Sequence, residues 1–236
     1  RDDVESRGLG DVYKRQIYMY TEAFGRASYL VSRSRGKKST VSKALFIPLS
    51  VLEMEVEHLN KRDLHRIKET RICFPLNDVC CDPVKNVLAL FLSEVLFRVV
   101  KDTEPDPRLF DYLYESIHLL EYADKGIANF HMVFLLGLLH HLGIFPNMES
   151  HRVGYYFDML NGVFTDHIPM HRHYLNKVES AFFSRLLRIS FENMSLYGFS
   201  RQERVRIIHR ILEYYCLHLP DFPEIKSLSV MQSLFD

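Results

Sequence analysis

Two hydrophobic periods run along this chain, and they change over near residue 76. From Ile17, IYMYTEAFGRASYLVSR reads as two short strands joined at Phe24-Gly25, enriched in Tyr, Val and Ile. ALFIPLSVLEMEVEH is a further extended run. In it Val51, Glu53, Glu55 and Glu57 alternate with Leu52, Met54 and Val56, the mark of a strand with one wet face. LHRIKETRICF is another strand or a short helix. Several short strands separated by charged loops predict a small β barrel rather than a parallel sheet.

Past a linker read over Pro75–Pro83, the period becomes helical. Asp82-Pro83 and Asp106-Pro107 each pair an N-cap acid with proline at the first helical position. Val84, Val87, Leu88, Phe91, Leu92, Val95 and Val99 hold the i, i+3, i+4 spacing of a core-facing helix, and Leu109, Leu113, Ile117 and Leu120 carry a second. The third, IANFHMVFLLGLLHHLGIF (127–145), is apolar on every side, which places it in a protein core or a bilayer. Asn129, His131, His140 and His141 are costly in hydrocarbon, and Gly143 and Pro146 stop the helix. It is therefore read as the central helix of a helical domain, with no membrane contact. YYFDMLNGVFTDH carries a hairpin turn at Asn161-Gly162. AFFSRLLRISFENMSLY returns to helix. A capping box at Ser200 and Glu203 opens a long helix that Pro220 and Pro223 end, and IKSLSVMQSLF adds a short terminal one.

Residues 1–16 are charge-rich and lack either period, so they are read as a leader foreign to the fold. The predicted architecture is α+β, with a small barrel over residues 17–76 and an α-helical domain with a hairpin insertion over 77–236. With 236 residues the chain can bury a sizeable core. Thirty basic and thirty acidic residues favour no class of partner, but their distribution does. Between Glu22 and Glu53 there is no acid, while Arg26, Arg33, Arg35, Lys37, Lys38 and Lys43 all fall there. A cationic, acid-free loop on a small barrel suits a phosphate backbone, and Tyr18, Tyr20 and Tyr29 are candidates to stack bases. The bland alternative is a solvated lysine-rich loop.

Other chemistry finds less support. His167, His171 and His173 are close in sequence but lie in a proline-containing loop without a nearby cysteine, and are read as a surface cluster, not a metal site. His140 and His141 point to different helix faces. The cysteines Cys73, Cys80, Cys81 and Cys216 form no CxxC pair and are expected to be simple buried thiols in a reducing cytosol. No phosphate loop, nucleophile elbow or HExxH motif is present, so no catalysis and no cofactor are expected.

Five short motifs, in order, carry a resemblance to the RecO family of bacterial recombination mediators, in the form found in Bacteroidetes. YTEAFGR (20–26) resembles its strand-turn-strand signature and SRSRGKKST (32–40) its basic loop. ALFIPLSVLEME (44–55) resembles the strand that follows, FLLGLLHHLGIFPN (134–147) its central helix, and YYCLHLPDFPEIKSLSVM (214–231) its closing segment. The resemblance runs from Ile17 to Phe235. It implies an N-terminal OB fold, a helical C-terminal domain and no enzymatic turnover. It also implies binding of single- and double-stranded DNA, strand annealing, and work with RecR to load RecA onto strands coated by single-stranded DNA-binding protein (SSB), whose acidic tail the family recognises. The DNA role then falls on Arg26, Arg33, Arg35, Lys37, Lys38 and Lys43, in the cytoplasm at the nucleoid.

Three departures qualify what the family implies. Nothing before Ile17 resembles the first barrel strand, so the barrel is expected to lack it. MESHRVGYYFDMLNGVF has no cysteine, so the zinc set of many members is not expected. Met132 and Val133 stand where some relatives carry arginines for the SSB tail, which moves that role to Phe182, Phe183, Arg185, Leu186 and Arg188. The reading from a different class is a helical protein–protein adaptor with a vestigial barrel and no DNA binding.

Overall fold

The computed structural model describes residues 14–32, 45–58 and 64–234. Among them it is α+β, with seven helices and two sheets in two compact units. The first unit runs to Pro75 and takes in Asp102–Pro105, and the second holds the rest.

In the first unit, β1 (Lys14–Thr21) and β2 (Gly25–Ser32) form an antiparallel hairpin whose register ends at Thr21 opposite Gly25. The turn closes through Thr21, whose hydroxyl donates to the Gly25 carbonyl at 3.0 Å and accepts from the Phe24 amide at 3.1 Å. Gly25 has φ +58°, and a Cβ there would collide with the Glu104 carbonyl oxygen, so glycine is required on two counts. β3 (Leu52–Glu57) pairs antiparallel with β4 (Leu64–Ile72), with a bulge between Glu55 and Val56. The sheet order is β1-β2-β4-β3, and β2 and β4 run parallel. Ala27, Tyr29, Val31 and His65 are buried on one face. His65 stacks on His58 at 3.9 Å between ring centroids, and His58 on Phe24 at 4.2 Å.

Several expectations need correction here. Residues 14–16 belong to a paired strand, so a leader ending at 16 is too long; residues 1–13 lie outside those described. LHRIKETRICF is a strand. The stretch before Leu52 is not extended throughout, because Ser50 ties the chain back to Ile47 through its side chain, accepting at 3.0 Å and donating at 2.7 Å. The described strands form an open sheet with a parallel pair rather than a closed antiparallel barrel.

In the second unit the expected linker contains a helix, α1 (Asn77–Cys81). Leu76, at the N-cap position before it, has no side chain that can cap. The buried carboxylate of Glu121 instead accepts from the Asp78 and Val79 amides at 2.9 and 3.0 Å. The equally buried Lys85 ammonium donates to the Glu121 carbonyl at 2.6 Å and pairs with Asp78 at 3.4 Å. α2 (Pro83–Val99) and α3 (Pro107–Tyr122) start as expected, with Asp82 and Asp106 each accepting two amide N–H groups of the first turn.

α4 (Ile127–His141) lies at the centre, with ten of its side chains buried. Tyr112 and Tyr215 donate their hydroxyls to the Phe134 and Leu135 carbonyls, both at 2.7 Å, and the Asn129 amide donates to the Met194 and Tyr197 carbonyls. Burial pushes the Tyr215 phenol well up. None of the described helices is long and apolar enough to cross a membrane.

The insertion pairs β5 (Tyr156–Asp158) with β6 (Val163–Thr165) around Gly162, at φ +64°. A strand not foreseen, β7 (Tyr174–Leu175), adds to β5. α5 (Lys177–Leu186) is opened by an Asn176–Glu179 capping box and is shorter than expected. Beyond it Asn193 accepts from the Ser190 amide and donates to the Arg188 carbonyl, so the side chain satisfies backbone groups that a helix would use. α6 (Arg201–His218) keeps its Ser200–Glu203 capping box. α7 (Ser227–Leu234) is capped by Glu94 of α2, which accepts from the Lys226 and Ser227 amides and the Ser227 hydroxyl. Burial raises the Glu94 pKa, and these hydrogen bonds outweigh that and bring it below the usual carboxylate range.

Candidate nucleic-acid interface and partner surface

Register decides what each face of the N-terminal sheet carries. Tyr18 lies opposite Ser28 and Tyr20 opposite Arg26, and directly opposed residues share a face. Tyr18, Tyr20, Arg26 and Ser28 therefore share the face away from the buried Ala27, Tyr29 and Val31. The Arg26 guanidinium sits 5.4 Å from the centre of the Tyr18 ring, a cation–π distance, and Tyr18 is about half exposed. The Arg26 amide donates to the Asp102 carbonyl at 3.1 Å, which fixes the strand where this pair emerges.

Tyr29 cannot stack a base. It is buried against His65, at 5.8 Å between ring centroids, and burial pushes its phenol pKa up. Strand parity carries the signal: Tyr29 has the opposite parity to Arg26, and Tyr18 and Tyr20 pair across to Arg26's parity. Of the six cations read from the sequence, Arg26 is placed on this face; Arg33, Arg35, Lys37, Lys38 and Lys43 lie outside the described residues.

The β3–β4 half of the sheet has a different character. Arg71 forks onto Glu53 at 2.6 and 2.8 Å, and Lys68 pairs with Glu55 at 3.5 Å. The Arg71 hydrogen bonds hold the Glu53 carboxyl below its ordinary range. A shallow hollow of about 360 Å³ is lined by Glu53, Met54, Glu55, Glu69, Thr70 and Arg71. Three carboxylates in that lining disfavour phosphate.

The partner residues predicted on α5 separate into two groups. Phe183 and Leu186 are buried in the core of the second unit, Phe183 against Phe157 at 4.9 Å between ring centroids, so neither offers a surface. Phe182, Arg185 and Arg188 are exposed. Phe182 meets Phe199 edge-on at 5.9 Å, and Phe199 lies 5.5 Å from Tyr197. Tyr197 closed the segment read as helix, and Phe199 lay between that segment and the Ser200 cap, so neither was read as part of this surface. The surrounding sequence is strongly basic: residues 172–210 hold eight Arg or Lys against three Glu.

The three loop histidines face separate carboxylates. His167 pairs with Asp166 at 3.0 Å, His171 with Asp158 at 3.2 Å and His173 with Glu213 at 3.5 Å. Among the described residues no group of three or more His, Cys, Asp or Glu is arranged to hold an ion. His140 stacks on Phe145 and His141 on Tyr112. All four cysteines are exposed, not buried as expected; Cys80 and Cys81 follow the inward-facing Val79, and Cys216 turns outward beside the buried Tyr214 and Tyr215.

The family described as "Recombination protein O C terminal" matches residues 81–228, more than half of the chain. Curated relatives called DNA repair protein RecO cover 93% of the chain and 91% of their own length. That of Bacteroides fragilis (strain YCH46) is 44% identical, that of Phocaeicola vulgatus 42% and that of Azobacteroides pseudotrichonymphae 41%. With a family match of this extent and relatives this similar over nearly their whole length, the chain belongs to the RecO family of DNA repair proteins.

Proposed function

We propose that this chain is a recombination mediator that binds and anneals single-stranded DNA, contacts duplex DNA, and acts without catalysis. In this reading its N-terminal sheet is an OB fold. With RecR it helps RecA replace SSB on coated strands. The observation that carries the reading is the Tyr18–Arg26 pair on the outward face of the sheet, leading in sequence into the acid-free run Arg33–Lys43. A guanidinium held over an aromatic ring offers a stacking plane and a phosphate contact together. The cations that follow release counterions from the strand they neutralise.

The test is a salt titration of labelled single strands. With about six phosphate contacts, log affinity should fall against log salt with a slope of roughly −4. Replacing Arg35, Lys37 and Lys38 together by alanine should remove about half of that slope and weaken unrelated sequences equally, because phosphate contacts carry no base information. If the triple variant binds as tightly as the parent with the same slope, the loop is a solvated surface and the adaptor reading takes its place.

The acidic SSB tail is assigned in this reading to Phe182, Arg185 and Arg188, with Phe199 and Tyr197 extending the apolar floor. Phe182→Ala combined with Arg185→Ala should weaken a peptide of that tail about tenfold or more in fluorescence anisotropy. Affinity for single strands should not change. Unaltered tail binding would remove the assignment.

A further inference from the structure

α3 presents an outward face that the DNA reading does not use. Phe110, Tyr114, His118 and Tyr122 follow one another at four-residue intervals, so their rings climb one side of the helix about 6 Å apart. Phe110 and Tyr114 stack at 6.5 Å between centroids, and His118 and Tyr122 meet at 4.6 Å. Tyr114 is 39% and Tyr122 55% exposed. Partly exposed tyrosines in a row form the kind of aromatic surface that anchors protein interfaces.

The charge along this row selects its occupant. Asp111 and Glu115, also four residues apart and exposed, run beside the rings. Phosphate would be repelled there, whereas a guanidinium would gain twice: over a tyrosine face and on a carboxylate fork. Arginine suits both contacts better than lysine, because its planar group stacks and binds a carboxylate through two donors.

We propose that the outer face of α3 docks an arginine-containing basic segment of a protein partner. The segment's side chains alternate between the rings of Tyr114 and Tyr122 and the carboxylates of Asp111 and Glu115. This surface is independent of the DNA site: the two have opposite charge preferences and share no residue.

Calorimetric titration of the full chain with a twelve-residue alternating Arg-Gly peptide tests it, with a Glu-Gly peptide of equal length as control. The parent should bind the arginine peptide and not the glutamate one. Tyr114→Ala with Tyr122→Ala should weaken binding about tenfold, and Asp111→Asn with Glu115→Gln should weaken it severalfold. Glu53→Gln with Glu55→Gln, which removes equally exposed acids of the N-terminal sheet, should leave it unchanged. All six positions are exposed, and circular dichroism melts confirm the fold of each variant. Equal binding by the tyrosine variant and the parent would overturn the proposal. So would an equal loss from the Glu53 and Glu55 changes, which would mark nonspecific charge attraction. A tyrosine variant that loses affinity for single-stranded DNA instead would make the row a stacking platform for bases and also overturn it.

Discussion

At pH 5 the helical unit will be about 2 kcal/mol less stable than at pH 7 through His131 alone. This imidazole is 1% exposed, edge-on to Phe91 at 6.3 Å between ring centroids. Burial, with a smaller contribution from the Arg204 charge, lowers its pKa to about 3. In the unfolded chain it titrates near 6.5. Between those values the unfolded chain holds the extra proton, so stability is complete above about pH 6.5 and falls as the pH drops toward 3. The window from 6.5 to 5 isolates histidine, because carboxylates with depressed folded pKa values, such as Glu94, affect stability only nearer pH 4. His140 and His141, also lowered by partial burial, add a smaller loss of the same sign. Urea unfolding followed by helical circular dichroism at pH 7 and 5 measures the difference. His131→Leu should remove most of it, whatever its absolute stability. A variant with the parent's pH dependence would show that His131 is not the group responsible.

Glu121→Ala should cost about 3–5 kcal/mol through two charged hydrogen bonds, a large part of a typical domain's stability. The substitution orphans the Asp78 and Val79 amides, while the buried Lys85 ammonium keeps its hydrogen bond to the backbone carbonyl of residue 121. Charged hydrogen bonds of this kind are each worth about 1.5–3 kcal/mol. Hydrogen exchange at Val79 and Cys80 should quicken more than exchange in α4. Glu121→Gln should lie between, since its amide still offers one oxygen. A loss below about 1 kcal/mol would show that α1 stands without its remote cap.

That cap explains what could be read from the chain. α2, α3 and α6 were legible because Asp82, Asp106 and Ser200 cap from within, a few residues from the apolar period they open. α1 was not, because its cap comes from more than forty residues later and its own five residues carry no period. β7 spans two residues, too short for any alternation to register. The end of α5 was misjudged because Asn193, in a stretch rich in apolar residues, folds the backbone into turns. The parallel pairing of β2 with β4 is set by partners that no local pattern names. Within the candidate interface, residue types were legible and parity was underused. Tyr29 looked equivalent to Tyr18 until the hairpin register put it on the inward face.

Gly25 and Arg26 meet a backbone segment, Asp102–Pro105, that belongs to the first unit although α2 precedes it in the chain. The polypeptide therefore crosses between units three times, and no single scission separates them. A fragment ending at Pro75 would leave behind the Asp102 carbonyl that receives the Arg26 amide and the Glu104 carbonyl against which Gly25 is fitted. Dissection of this protein into halves calls for a graft: residues 102–105 carried on a short tether after Pro75, with the cut ends of α2 and α3 rejoined in the other piece.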